Sequence, residues 1–187
     1  MNPRALSTRD AQLPAAYSDR LEALIGLAAS LAQGGLYREA VPVYGIWIQE
    51  EPANPAPRLG AATAMILSGE HQRARIVLEQ AHQAMPGNLD VVDLLARHLA
   101  ASPDRAVRDG ARAVPLAERL VAEVPTAESR ETLAMAYAEA GQGARAVETQ
   151  EALIAELGGQ ADAATLARWR ANLERYRGGM ACCAEGG

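Results

Sequence analysis

The chain has 187 residues, enough for one ordinary domain or one short repeat array. Hydrophobic residues make up 49% of it but aromatics only 4%, with no Phe, which favours helices packed through small side chains over a bulky β core. The net charge is −5 and all 18 basic residues are Arg, so the chain carries no basic footprint for nucleic acid. Absence of Lys points to a GC-rich, bacterial coding bias. Cys182 and Cys183 stand alone and give no disulfide framework. No apolar run reaches the length of a membrane span, and the first residues hold no apolar core of secretory-signal length. A cytoplasmic protein is the expectation.

Residues 1–17 contain Pro3 and Pro14, show no periodicity and read as a mostly disordered leader, with a short helix as the alternative. Order is expected from Ser18, with Asp19 and Glu22 as a capping box. A first helix then runs to about Gln33, with Leu24, Leu27, Ala28 and Leu31 as its apolar stripe. Gly34 and Gly35 end it. A second helix spans Tyr37 to about Glu50, with Ala40, Val41, Tyr44, Trp47 and Ile48 inward and Pro52 beyond it.

The next stretch repeats this plan. Gly35 and Gly69, Ala40 and Ala74, Pro52 and Pro86, and Asn54 and Asn88 are each 34 residues apart. A fixed period of that size is the mark of a repeat array. The units are placed at about 21–54, 55–88, 89–126 and 127–160 of an array covering 18–177. In the third unit the glycine-centred turn is replaced by a longer connection, 101–110. The fourth is acidic, since 121–160 holds seven acidic and two basic residues. Residues 161–177 form an end helix with Leu166, Trp169, Leu173 and Tyr176 inward, and 178–187 read as a disordered tail. Pro42 and Pro115, early in two second helices, predict a bent or late start there.

The residues at these positions resemble the tetratricopeptide repeat. The first unit offers Leu27, Ala28, Leu31, Gly35, Tyr37, Ala40, Tyr44, Trp47 and Pro52. The second offers Ala61, Ala62, Met65, Gly69, His71, Ala74, Leu78, Ala81 and Pro86, and the fourth offers Leu133, Ala134, Tyr137, Gly141, Gly143, Ala146, Gln150 and Leu153. The resemblance implies an all-α, right-handed α-solenoid of four helical hairpins with a C-terminal capping helix. One hairpin cannot bury its apolar face alone, so neighbours must stack. Trp47 stands where the family prefers a small residue, and Gly60, Ala61 and Ala62 are read as the compensating space.

In that family the first helices line a concave groove that holds a partner's peptide or helix. The resemblance places Ile25, Ala29, Leu59, Thr63, Ile66, Asp93, Arg97, Glu128, Glu131 and Met135 there. Such a groove is apolar in its N-terminal half and mainly acidic in its C-terminal half. It suits a protein segment with a hydrophobic anchor and basic residues. The chain is expected to be a protein–protein interaction scaffold or adaptor. A secretion-type chaperone is the alternative, or a structural subunit that self-associates as a homodimer through Trp169 and Tyr176. The groove has neither the Lys nor the Asn with which some members grip a chaperone's C-terminal carboxylate. No enzymatic constellation, cofactor or metal is expected: His71, His82 and His98 lack metal-ligand spacing, and no phosphate-binding loop occurs. The Cys182-Cys183 pair fits no lipidation pattern and is a poor zinc site by itself.

Overall fold

A computed structural model describes residues 8–181; Cys182, Cys183 and residues 1–7 fall outside the described residues. Among the described residues there are nine α-helices and no strand. They are α1 (Thr8–Gln33), α2 (Tyr37–Glu50), α3 (Ala56–Leu67), α4 (His71–Ala84), α5 (Leu89–Ala101), α6 (Gly110–Glu123), α7 (Ala127–Glu139), α8 (Gly143–Leu157) and α9 (Ala163–Arg177). They belong to two compact units, the first ending at Glu70 and the second starting at His71.

In the first unit α2 packs on both α1 and α3. Helix α1 is longer than its sequence cues imply and corrects the expected leader. It starts at Thr8, so Asp19 lies inside it and caps nothing. Ala11, Gln12, Leu13, Ala15 and Ala16 all favour helix, and together they outweigh the proline cue at Pro14. Its inward stripe is also narrower than expected. Ala28 is buried, but Leu27 is 50% exposed. Tyr17 donates a hydrogen bond to the Glu50 carbonyl oxygen (3.3 Å), and Arg20 pairs with the Glu50 carboxylate.

The turns explain the 34-residue period. Gly35, Gly69 and Gly141 have φ of 72°, 81° and 72°, a left-handed conformation that a Cβ disfavours. Each is followed by a residue whose N–H reaches back five positions: Leu36 to Leu31 (2.9 Å), Glu70 to Met65 (2.7 Å) and Gln142 to Tyr137 (2.8 Å). This is the Schellman geometry, which satisfies the orphan carbonyls of a helix end. Gly179, at φ 72°, ends α9 in the same way through Met180 to Arg175 (2.9 Å). The fourth residue of every second helix is an alanine with no exposed surface: Ala40, Ala74, Ala113 and Ala146. A methyl there lets neighbouring helices approach closely.

Two expected local features turn out differently. Gly60 faces Tyr44 rather than Trp47, since a Cβ on Gly60 would lie 2.3 Å from the Tyr44 ring. Trp47 stacks beside Tyr44 with centroids 6.3 Å apart. Its Nε1–H donates to Glu51 (2.8 Å), which also accepts from Asn54 (2.8 Å), and these two bonds hold the Glu51 carboxyl below its usual range. Further, α2 and α6 do not start late; Pro42 and Pro115 are each the sixth residue of their helix. Both prolines are exposed, and so are Arg38 and Ala111, whose carbonyls lose the bond, so water can satisfy them.

In the second unit α4 packs on α5, α5 on α6 and α7, α6 and α8 on α7, and α9 on α8. Leu78, Leu95, Leu99 and Leu153 are wholly or almost wholly buried. Caps set the helix starts: Asn88 accepts from Val91 N–H (2.9 Å), Asp109 from Arg112 N–H (3.1 Å) and Asp162 from Thr165 N–H (2.9 Å). Asn54, the counterpart of Asn88, accepts instead from Ala56 N–H (2.9 Å), because Pro55 takes the cap position.

The extra residues of the third unit form the connection between α5 and α6, as expected. This connection is anchored. Val107 is fully buried, Asp109 N–H bonds to the Leu99 carbonyl (2.8 Å), and Arg108 pairs with Glu139 (3.2 Å). Gly110 then passes so close to α7 that a Cβ would sit 2.3 Å from the Ala140 nitrogen.

Candidate partner-binding face

The residues singled out from the sequence lie on the first helix of each pair. In the first unit, α1 carries Ile25, 39% exposed, and the exposed Ala29. On α3, Thr63 is exposed, Leu59 and Ile66 are half-buried, and Leu67 is 55% exposed. Helices α1 and α3 are both held by α2 but do not pack face to face. Ile25 and Leu67 are thus exposed apolar residues on two helices that both pack on α2.

In the second unit the corresponding helices, α5 and α7, pack directly on each other. Asp93, Arg97 and Glu128 come together there. Thr132 Oγ1 donates to Asp93 (3.4 Å) and to the Glu128 carbonyl (3.0 Å), and Arg97 donates to the same carbonyl (3.5 Å). A small hollow of about 130 Å³ opens beside them, with Leu89, Leu120 and Val124 as apolar wall and Asp90, Asp93 and Glu128 contributing carboxylates. Asp90 and Glu128 lie in the first turns of α5 and α7, where the helix N-terminus favours negative charge.

Glu131 and Met135 do not join this surface. They are 5% and 6% exposed. Glu131 accepts two hydrogen bonds from Arg168 of α9, each 3.1 Å. That fork-to-carboxylate pairing is the strongest polar geometry available to arginine. The acidic excess of 121–160 is thus partly neutralised from the end helix, where Arg177 also pairs with Glu151 (2.6 Å). The arginines of the end helix opposite an acidic segment were the sequence signal for this. Trp169 and Tyr176 are 4% and 2% exposed, so α9 uses them inside the unit and they offer no face for self-association.

The polar groups outside this face are structural. Tyr137 donates to Glu118 (2.8 Å), and the Arg145 guanidinium lies 4.0 Å above its ring. Burial first, then the bonded Glu118 carboxylate, push the Tyr137 phenol up to about 12, so it stays a donor and not a base. Burial works against ionisation of Glu79, yet bonds from Arg75 (2.9 Å) and Arg112 (2.7 Å) hold its carboxyl below the usual range. No group of three or more His, Cys, Asp or Glu gathers at metal-binding distance among the described residues. No helix among them is long and apolar enough to cross a membrane.

Paired helices with repeated glycine stops and a presented first-helix face define an all-α helical-repeat protein. Residues 31–98 match the tetratricopeptide repeat family model. The fold extends the match. A structure of MamA from Desulfovibrio magneticus RS-1, at 18% identity, covers 85% of this chain and 96% of its own, with a TM-score of 0.65. A structure described as a putative kinesin light chain of Podospora anserina with nearly identical TPR-like repeats is 24% identical, covers 86% of each chain and has a TM-score of 0.66. YrrB, described as a TPR protein with an unusual peptide-binding site, is 18% identical, covers 91% of this chain and 88% of its own, with a TM-score of 0.63. No curated protein sequence matches the chain. Residues 31–98 are tetratricopeptide repeats by sequence, and the described chain has the tetratricopeptide-repeat fold. That fold is consistent with a protein–protein interaction scaffold.

Proposed function

We propose that the chain holds a segment of a partner protein on its first-helix face. The observation that carries this reading is the exposure of Ile25, Ala29, Thr63 and Leu67, with Leu59 and Ile66 half-buried, on the two helices that pack on α2. An apolar side chain of the partner would be the anchor there. In the second unit, taken by itself, the hollow beside Asp90, Asp93 and Glu128 would take a basic side chain, its alkyl stem against Leu89, Leu120 and Val124. A relative in fold, YrrB, is described as having a peptide-binding site, which fits this use of the face.

The test is selection from a displayed random-peptide library on the full chain. Peptides with Lys or Arg are expected for the hollow of the second unit, and peptides with an apolar anchor for the face of the first. The affinity of the latter should fall at least about tenfold in Leu59→Glu and Ile66→Glu, a loss near 1.4 kcal/mol, while circular dichroism stays unchanged. That of the former should weaken with added salt, as exposed charge pairs do. Selected apolar-anchored peptides that bind both variants as tightly as the unsubstituted chain would rule the face out.

A further inference from the structure

His98 is only 5% exposed, yet it lies on α5 directly beside the start of α4. Its Nε2–H donates to the His71 carbonyl oxygen at 2.9 Å, since a carbonyl can only accept. The two imidazole rings are 5.7 Å apart. His71 Nδ1 is buried and finds no hydrogen-bond partner among the described residues. Arg75, one turn further along α4, adds a positive charge to the surroundings, and Asp104 of the α5–α6 connection supplies a negative one.

This is a poor place for an imidazolium. A proton on His98 would put charge on a ring cut off from water, next to a second imidazole and a guanidinium. We propose that the His71–His98 pair is a proton-sensitive joint, at which proton uptake loosens the start of α4 from α5. In the repeat plan α4 closes the second unit of sequence and α5 opens the third, so the joint lies between consecutive repeats.

The direction with pH follows from burial. Desolvation, above all, holds the His98 ring below the ordinary imidazole range; the bond to His71 and the Asp104 charge oppose it, while the charges of His71 and Arg75 add to it. The unfolded chain therefore takes up the proton first. The contribution is fully present above about 6.5, the ordinary histidine value, and is lost as pH falls from there through the folded value.

Hydrogen exchange read by mass spectrometry tests this on the full chain, at about pH 7.5 and about pH 5.5, on either side of the ordinary histidine value and with intrinsic exchange rates divided out. Amides of residues 71–75 and 97–101 should exchange roughly three- to tenfold faster at the lower pH, up to a factor of ten per unit of pKa depression. Amides of α8 should not change. His98→Gln keeps a side-chain N–H for the His71 carbonyl and cannot titrate, so its acid response at these amides should vanish. An unchanged response in His98→Gln would overturn the proposal. An imidazole nuclear magnetic resonance titration of the unsubstituted protein needs no variant. His98 titrating at or above the ordinary value would overturn it equally; titration below it, together with the exchange result, supports it.

Discussion

Gly60 offers a test in which two physical effects oppose each other. It lies inside α3, where alanine would ordinarily be better by about 0.5–1 kcal/mol, because glycine loses more backbone freedom in a helix. A Cβ there would stand 2.3 Å from Cε1 and 2.6 Å from Cζ of Tyr44, far inside contact distance. The half-buried ring would have to swing aside, and overpacking of this kind costs about 1–3 kcal/mol. The steric term should win. Gly60→Ala is expected to destabilise by about 0.5–2 kcal/mol, measured by reversible urea unfolding. In a Tyr44→Ala background the obstruction is gone, and the same substitution should stabilise by about 0.5–1 kcal/mol. The sign should therefore reverse around the cycle, with a coupling of about 1–3 kcal/mol. If Gly60→Ala stabilises both backgrounds alike, Tyr44 does not fill that space.

Two further outcomes follow from neighbours that yield to different degrees. A Cβ at Gly110 would meet backbone, the Ala140 nitrogen at 2.3 Å and the Glu139 carbonyl carbon at 2.5 Å. Gly110→Ala should cost about 3 kcal/mol or more in urea unfolding, whereas Gly26→Ala, with nothing within 4 Å, should gain about 0.5–1 kcal/mol. The Glu131–Arg168 pair is unequal, with side chains 7% and 59% exposed. Arg168→Ala strands a buried carboxylate and should lower stability by about 3 kcal/mol, while Glu131→Ala frees an arginine that can turn to water and should cost less than half of that. Equal losses would mean that the carboxylate is hydrated.

Much of the fold was legible because it rests on local chemistry. Gly35, Gly69 and Gly141 sit where only a left-handed turn residue serves, and their spacing exposes the period. Ala40, Ala74 and Ala146 mark close helix contacts by their size alone. The start of α1 was less legible. Pro14 is a local stop cue, but the good helix formers around it decide the outcome. Of the residues assigned to the proposed face, Ile25, Thr63 and Glu128 are exposed and Asp93 is half-buried. Glu131 and Met135 follow the same repeat pattern and are nevertheless buried, because the pattern does not say how α9 settles on the second unit.

Sequence alone determined the helical class and the four glycine- or loop-joined turns. These depend on backbone freedom, side-chain size and periodicity, which act within a few residues. Tertiary structure alone decided that Tyr44 fills the space above Gly60, that Arg168 claims Glu131, and that Met135 is buried. The first two join residues far apart in the chain. Their partners compete by shape and charge in three dimensions, and no local rule ranks that competition.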